Sequence, residues 1–400
     1  MQPIDRIKAL SKEYFDQVVF YRRHFHAAPE VSLQEHKTAA YIVSQLVDMG
    51  IAYQEGVAGT GVVAVIEGAL KSEATIALRA DMDALPITEE NRVEYKSVNH
   101  GVMHACGHDV HMASLLGTAR ILQSLRKEWG GTIKLFFQPS EEKCPGGARL
   151  MINEGVLENP APASVFGQHV FPGLPAGKVG IRSGKYMASA DEIYIHIKGK
   201  GGHAAMPHLI VDPILIASHV VVALQSIVSR SARPTVPTVL SFGRFEGLGH
   251  TNIIPGGVKL EGTFRTFDED WREKALQRIR ETAVFIAQGM GGDCEVFVEK
   301  GYPFLVNNHR LAADFKKLAS AYLGPENVEE LDLAMTAEDF AFFSQRIPSC
   351  FYRLGIRNVE KGITSNLHTP TFDVDERALE TGMGLMAYLA LSELEAIRDK

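Results

Sequence analysis

The residues of this 400-residue chain best suited to chemistry are concentrated in one stretch, from Met103 to His111. Three histidines, one cysteine and one aspartate lie there. Thiolate, imidazole and carboxylate groups are the usual protein ligands of zinc and related divalent ions. In an extended segment, Cys106 and His108 would point the same way because they are two positions apart. We interpret these two as metal ligands, and His104 and His111 as ordinary core or surface histidines.

Three later segments supply more side chains of the same kind. They contain the adjacent Glu141 and Glu142, then His169, then His368. Of two adjacent glutamates, one can bind a metal while the other stays free to act as a base. Taken alone, Cys106 has a simpler explanation as a small buried hydrophobic residue. Together the four segments predict convergence on a pair of metal ions that activate water.

Composition excludes several classes of partner. Hydrophobic residues make up 46% of the chain and charged residues 22%, as in ordinary soluble globular proteins. The net charge of −7 argues against a nucleic acid or an anionic membrane as a partner. The four cysteines are widely spaced and form no Cys-x-x-Cys pair, which is typical of a reducing compartment. With no signal-peptide pattern and no apolar run of about 18 uncharged residues, we expect a cytoplasmic protein that does not span a membrane.

Strand and helix patterns alternate through the first 170 residues. A capping-box pattern, Ser32 to Glu35, precedes a helix that ends near Gly50. Apolar, β-branched runs predict further elements in alternation, namely strands at 61–67, 75–80, 132–138 and 164–170 and helices at 4–26, 109–127 and 145–155. This alternation predicts an α/β fold with a mostly parallel sheet.

The polar side chains follow the ends of three predicted strands. Asp81 and Asp83 come directly after strand 75–80, Glu141 follows strand 132–138, and His169 closes strand 164–170. In open α/β sheets, ligands bind beyond the carboxyl ends of the strands. Three strands are therefore expected to deliver ligand-type side chains to one edge of the sheet.

The pattern changes near residue 188. The order β-α-β-β-α-β is typical of a ferredoxin-like unit, with strands at 192–199, 239–245, 259–267 and 294–300 and helices at 212–230 and 269–288. We therefore predict a discontinuous catalytic metallohydrolase domain, 1–187 and 302–400, and an inserted domain, 188–301. Within the insert, the glycines before His203 allow a close backbone approach to a ligand, although a plain hairpin turn explains them equally well.

Taken together, the motifs resemble the M20 metallopeptidase superfamily, specifically its N-acyl-amino-acid amidohydrolase branch. That branch includes hippurate hydrolases, auxin-conjugate hydrolases and related aminoacylases. The segments that carry the resemblance are 22–30, 78–86, 103–111, 138–142, 167–169, 201–207, 262–265, 337–340 and 367–370. The resemblance implies a di-metal α/β hydrolase domain with an inserted α+β lid that mediates dimerisation, as a homodimer or a dimer of dimers.

The resemblance also implies a ligand set of Cys106, His108, Glu142, His169 and His368 for two divalent ions per subunit. Cys106 stands where most of the superfamily has a bridging aspartate, and Asp81 stands where those relatives have a metal-binding histidine. A thiolate favours zinc, nickel or cobalt, and manganese is also used in the branch.

Roles for other residues follow from the same resemblance. Asp83 would orient a ligand histidine, and Glu141 would carry the proton from water to the leaving amine. His203 resembles the lid histidine that stabilises the oxyanion across a dimer interface. Asn252 and Arg265 resemble the residues that hold the substrate carboxylate, for which the planar guanidinium is suited. The simpler alternative for Arg265 is a solvated charge on a strand.

The implied reaction is hydrolysis of an N-acyl-L-amino acid to a carboxylic acid and a free amino acid, with the metals activating water. A metallo-carboxypeptidase or dipeptidase acting on short peptides would use the same groups. A thiol hydrolase with Cys106 as nucleophile and His104 or His108 as base would leave the glutamates unexplained. A non-catalytic binding protein that kept the fold is a third alternative.

Overall fold

The computed structural model describes residues 3–399. In chain order the helices are α1 (Pro3–Glu13), α2 (Phe15–Ala27), α3 (His36–Asp48), α4 (His108–Ser124), α5 (Gly147–Asn153), α6 (Pro213–Ser226), α7 (Glu269–Gly289), α8 (His309–Leu323), α9 (Ala341–Ser344) and α10 (Ala378–Arg398). The strands are β1 (Ala52–Val57), β2 (Gly61–Glu67), β3 (Leu70–Asp81), β4 (Gly130–Gln138), β5 (Val165–Pro175), β6 (Val179–Ile181), β7 (Gly184–Met187), β8 (Asp191–Lys198), β9 (Gly202–His203), β10 (Thr238–Glu246), β11 (Ile253–Ile254), β12 (Gly257–Thr266), β13 (Asp293–Lys300), β14 (Leu305–Asn307), β15 (Val328–Glu330) and β16 (Ser349–Arg357).

The chain divides into two compact units. The first contains the residues up to Tyr186, the segment Val306–Leu333 and the residues from Asp339 onward. The second contains Met187–Leu305 together with Ala334–Glu338. The sequence-based boundaries placed 334–338 in the catalytic domain, whereas Ala188 N donates to both Ala334 O and Thr336 O in the structure, which ties this segment to the second unit.

An eight-stranded sheet in the order β1-β2-β4-β3-β5-β16-β6-β15 forms the centre of the first unit. The neighbours β4-β3, β3-β5, β5-β16 and β6-β15 are parallel, whereas β1-β2, β2-β4 and β16-β6 are antiparallel. Residues 74–81 of β3 are buried without interruption, as expected for a strand covered on both faces. Helices α4 and α10 pack against each other and against β3. The predicted α/β fold with a mostly parallel sheet is confirmed.

Helix α4 is the structural link between the sheet and the N-terminal helices. Fourteen of its residues are buried, because it lies between β3 and the helices α2 and α10. Burying each large apolar side chain of this helix stabilises the fold by about 1.5–3 kcal/mol. The beginning of this helix, at His108, is therefore held firmly by packing along the rest of its length.

The second unit has the strand order β10-β12-β8-β13 with antiparallel neighbours, which is the ferredoxin-like arrangement. Alternate residues of β8, namely Ile193, Ile195 and Ile197, are buried against α6 and α7, as the period of a half-buried strand requires. A separate ribbon pairs β9 with β11.

Helix α6 and its short π-helical extension, Pro213–Ser231, are long and apolar enough to cross a membrane by length and composition alone. The structure gives this helix another use, because Ile216, Val220 and Leu224 enter the core of the second unit. The helix also keeps apolar side chains on its surface, with Val222 73% and Leu215 51% exposed.

The predicted capping box is wrong. Helix α3 begins at His36, and its N-cap Glu35 makes no side-chain cap hydrogen bond. The Glu35 carboxylate instead accepts from Thr60 Oγ1 at 2.6 Å and from Ser140 N at 2.9 Å. Ser32 Oγ donates to Asp83 at 2.6 Å. Both side chains thus form hydrogen bonds to loops at the edge of the sheet, where their partners are buried, instead of capping a helix end that is exposed to water.

Candidate metal centre

Strand register places the predicted side chains at one edge of the large sheet. Asp81 pairs with Gln138 across β3 and β4, and Arg79 pairs with Gly167 across β3 and β5. His169, two residues beyond Gly167, therefore lies level with Asp81. β5 continues to Pro175, so His169 lies within this strand instead of closing it as the sequence pattern predicted.

The Cys106–His108 segment is folded, not extended as predicted. Gly107 has a left-handed backbone conformation with φ of 79°, and α4 begins at the next residue. A Cβ at Gly107 would lie 2.5 Å from Val170 Cγ2, so only glycine fits this close turn. The turn still brings the side chains together, because ligand atoms of Cys106, His108 and His169 lie within 4.8 Å of one another.

Asp83 organises the loop that carries the two glutamates. Its carboxylate accepts the backbone N–H of Glu141 and that of Glu142, each at 3.0 Å. Its Oδ1 atom also lies 3.3 Å from His108 Nδ1. One buried carboxylate thus holds the backbone of the glutamate pair and faces the ring of a predicted ligand histidine.

A second group of ligand atoms shares Cys106 with the first. Atoms of Cys106, Glu142 and His368 lie within 4.8 Å of one another, and His368 Nε2 is 3.2 Å from Glu142 Oε1. His368 N donates to Ala105 O at 2.8 Å, which joins its loop to the Cys106 segment. The His368 side chain is 52% exposed, whereas Cys106 is buried, so the centre is open on the His368 side.

The two buried histidines are prepared for ligation. His169 Nδ1 donates to Val170 O at 2.7 Å, so the Nε2 lone pair faces Cys106 Sγ, 3.4 Å away. Within residues 3–399, neither ring nitrogen of the fully buried His108 has a hydrogen-bond partner of good geometry. Buried polar atoms are rarely left without a partner, and a metal ion would provide one. The donor set therefore fits two soft or borderline divalent cations.

The charges at the site also favour cations. Burial raises the pKa of Cys106 well above its ordinary value, and the neighbouring Glu142 and Glu141 raise it further. Burial lowers the pKa of His108, but Asp81, Asp83 and Glu142 outweigh it and raise that pKa to about 10. The shift of His108 reflects the surrounding carboxylates, and that of Cys106 reflects first its burial and then the same carboxylates, so a thiolate at Cys106 requires nearby positive charge.

Glu141 occupies the position of a candidate base beside these ligands. It is buried, and its Oε2 atom lies 4.0 Å from His108 Nε2. Asp339 N donates to Glu141 Oε1 at 3.4 Å. The glutamate is thus oriented through its backbone by Asp83 and through its side chain by the Asp339 amide.

The sequence did not reveal the network behind His108. Arg22 Nε and His26 Nδ1 both lie 2.8 Å from Asp109 Oδ2, and His26 Nε2 lies 3.2 Å from Glu89 Oε1. Burial and Arg22 lower the pKa of His26, but Asp109 and Glu89 raise it above its ordinary value. These contacts give the motif 22–26 a structural role, since it anchors the first turn of α4.

The remaining predicted site residues belong to the second unit. His203 is exposed on β9, opposite Ile253 of β11, and Ala204 N donates to the backbone carbonyl of Asn252 at 3.0 Å. Ala205 N donates to His203 Nδ1 at 3.1 Å, which leaves Nε2 as the protonated, outward donor. Arg265 lies on β12, half-buried, with Nε 3.2 Å from Thr263 Oγ1.

Comparisons with known proteins identify the family. The profile of peptidase family M20/M25/M40 matches residues 77–392. This chain is a member of family M20. An N-acyl-L-amino acid amidohydrolase of Geobacillus stearothermophilus is 44% identical over 76% of this chain and 81% of its own length. Thermostable carboxypeptidase 2 of Saccharolobus solfataricus is 39% identical over 98% of this chain and 99% of its own.

A solved structure agrees with the sequence relatives. The YxeP protein of Bacillus subtilis, described as a dinuclear metal-binding peptidase of family M20, has a TM-score of 0.81 and 33% identity, covering 96% of this chain and 99% of that one. The family resemblance stated from the motifs is therefore confirmed, and the chain is a hydrolytic enzyme. The alternative of a non-catalytic binding protein finds no support in these relatives.

Cys106→Ala should reduce the metal that the protein retains from about two equivalents to at most about one, because both groups of ligand atoms lose a shared donor. Metal analysis after gel filtration measures this directly. His104→Gln is the matched control, since His104 is buried two residues away and was not assigned as a ligand. Equal metal content in Cys106→Ala and in the wild type would remove Cys106 from the centre.

Proposed function

We propose that this enzyme hydrolyses the amide bond of N-acyl-L-amino acids with two divalent metal ions, releasing a carboxylic acid and a free amino acid. The convergence of Cys106, His108, Glu142, His169 and His368 beside the carboxylate of Glu141 is the main support. Membership of family M20 and the amidohydrolase relative support the same reaction. Zinc, manganese, nickel and cobalt all remain candidates for the ions.

Two bound ions would lower the pKa of an attacking water and polarise the scissile carbonyl. Glu141 takes the proton from that water and passes it to the nitrogen of the leaving amine. The base role fits Glu141 because Asp83 and the Asp339 amide fix its orientation, whereas Glu142 is directed toward His368.

Residues of the second unit are proposed to bind the substrate. His203 presents a donor at Nε2, which suits an oxygen that gains negative charge. Arg265 and Asn252 are proposed to hold the free carboxylate of the amino-acid product. Burial lowers the pKa of Arg265 from its high ordinary value, and an arginine guanidinium remains charged in proteins and able to pair with a carboxylate.

Glu141→Gln should keep its bound metal but lose turnover by at least about a hundredfold, because the amide cannot accept the proton. Steady-state rates and metal analysis on the same preparation separate the two effects. Glu90→Gln, at an exposed glutamate of the same unit, should behave as wild type. A Glu141→Gln enzyme with normal kcat would exclude Glu141 from the proton path.

A metallo-carboxypeptidase or dipeptidase is the second candidate, supported by the carboxypeptidase relative. Hippurate, N-acetyl amino acids and dipeptides distinguish the two. We expect kcat/KM for the acylated substrates to exceed that for dipeptides by roughly tenfold or more, because a free ammonium beside the scissile carbonyl must lose its hydration next to cations. A higher kcat/KM for dipeptides than for the acylated substrates would establish that the enzyme is a peptidase.

We further propose that the second unit mediates a homodimer, which can pair into a dimer of dimers. The exposed apolar side chains of α6, such as Val222, offer a surface for a second copy. In this arrangement His203 of one chain serves the metal centre of the other, as the family resemblance implies. Cytoplasmic localisation stays a prediction from the sequence.

His203→Ala should lower kcat by roughly a hundredfold or more and change KM little, because the oxyanion forms only in the transition state. Mixing His203→Ala with Glu141→Gln chains should restore roughly a quarter of wild-type activity, since half of the mixed dimers' sites then contain both residues. If the mixture stays inactive although a tag carried by only one variant co-purifies the other variant, so that mixed dimers are present, His203 acts within its own chain. A change in KM alone would rule out the oxyanion role.

A further inference from the structure

A chain of polar groups runs behind the metal centre through three elements of the first unit. Arg79 Nη1 lies 2.6 Å from Asp81 Oδ2, and Asp81 Oδ1 lies 2.5 Å from His111 Nδ1. Val170 N then donates to His111 Nε2 at 2.9 Å. Arg79, Asp81 and His111 are completely buried. The chain thus connects β3, α4 and β5 without contact with solvent.

The hydrogen bonds determine the state of His111. A backbone N–H can only donate, so the Nε2 lone pair of His111 is used by Val170. The ring proton therefore lies on Nδ1, directed at Asp81. Burial lowers the pKa of His111, which also favours the neutral ring. Although atoms of Asp81, His108 and His111 lie within 4.8 Å of one another, His111 has no lone pair left for a metal.

Asp81 is engaged on both of its oxygens. One faces Arg79 and the other faces His111, while Oδ2 remains 3.7 Å from His108 Nε2. Arg79 is itself held by Gln138 at 2.8 Å and by Asp339 at 2.7 Å. The carboxylate is therefore next to the ligands but directed away from them by two protein donors.

Val170 shows what this arrangement achieves. Its N–H is bound by His111, and its carbonyl accepts the Nδ1 proton of His169. Its side chain also closes against Gly107, where a Cβ would be only 2.5 Å from Val170 Cγ2. A rotation of the Val170 backbone would turn the His169 ring and move Nε2 away from Cys106.

We propose that His111 is a positioning residue that fixes the ligand ring of His169 through the Val170 amide, and that Arg79 and Asp81 hold His111 in the required tautomer. In this relay Asp81 is not a metal ligand. The inference rests on the proposed di-metal function, and it assigns roles to three residues, Arg79, Asp81 and His111, that the ligand set does not contain.

The experiment compares cobalt-reconstituted wild-type protein with His111→Phe, which keeps the ring volume and loses both hydrogen bonds. At saturating Co²⁺ the variant should still bind two equivalents, but with roughly ten- to a hundredfold weaker affinity. Its thiolate-to-cobalt and ligand-field absorption bands should shift, because His169 is no longer held in one orientation. With the substrate, kcat should fall while KM changes less than about threefold.

Two further variants separate positioning from general structural damage. His111→Gln carries both a donor and an acceptor, so it should recover part of the affinity and of the wild-type spectrum. Ser114→Ala removes a buried hydroxyl from the next turn of α4 and should bind cobalt as the wild type does. If His111→Phe does not fold, the cobalt affinity and the absorption spectrum of His111→Gln test the inference instead.

The outcomes distinguish this inference from the proposed function. Loss of a whole equivalent of cobalt in His111→Phe would make His111 a ligand and overturn the relay. An unchanged spectrum and affinity with only a lower melting temperature would overturn it as well. Because the cobalt titration needs no substrate, it tests the relay even if N-acyl amino acids prove not to be hydrolysed. A wild-type chain that binds no cobalt would instead contradict the di-metal function itself.

Discussion

Negative charge gathered at one edge of a sheet is the constraint on which this site depends. Asp81, Asp83, Glu141 and Glu142 all lie within 4.0 Å of a ring nitrogen of His108, in a region largely removed from water. Isolated buried charges cost several kcal/mol each, so such a group is stable only with matching positive charge. Arg79 supplies one cation to the inner side, where it contacts Asp81 and Asp339. The raised pKa of His108, where Asp81, Asp83 and Glu142 outweigh burial, indicates that the outer side still favours further positive charge.

The fold meets this constraint by giving each acidic group a different task. Asp83 is bound to backbone amides and Asp81 to Arg79 and His111, so both are occupied by protein donors. Glu142 faces His368, and Glu141 keeps an orientation set by its neighbours. In the proposed mechanism the same side-chain type thus serves as a backbone clamp, a relay, a ligand and a base. Which task each one has depends on the donors it meets and not on its position in the sequence.

Sequence patterns were sufficient for the parts of the structure that depend on local order. Largely apolar runs before Asp81 and Glu141, each containing one basic residue, predicted parallel strands, and strands of that kind end at a common edge. The ferredoxin-like order of the second unit was readable for the same reason. Contacts that depend on tertiary partners were not. Ser32 and Glu35 matched a capping box but bind Asp83, Thr60 and Ser140 instead.

The candidate site shows the same division between features that local sequence predicts and contacts that depend on tertiary partners. Ligand-type residues could be identified because thiol, imidazole and carboxylate groups have few other reasons to cluster, although the reason given for Cys106 and His108 was wrong. Their meeting depends on the left-handed turn at Gly107, which no alternation of side chains reveals. His111 was dismissed as an ordinary histidine because its partners, Asp81 and Val170, lie 30 and 59 positions away. The one available signal was the arginine at position 79 within a buried apolar strand, since a charge there requires a buried partner.

The relay also gives a physical reason for the unusual residue at position 81. A histidine there would be neutral or cationic and would not pair with the guanidinium of Arg79, whereas an aspartate does. With metal bound, Cys106 would carry one negative charge as a thiolate, as would the aspartate that the family resemblance implies at this position in other members. The two departures that the family resemblance implies are therefore independent. The cysteine at position 106 makes the set of metal donors softer, and the aspartate at position 81 removes that position from the set of metal ligands. Arg79 allows the second change because it neutralises Asp81 without requiring a metal ion.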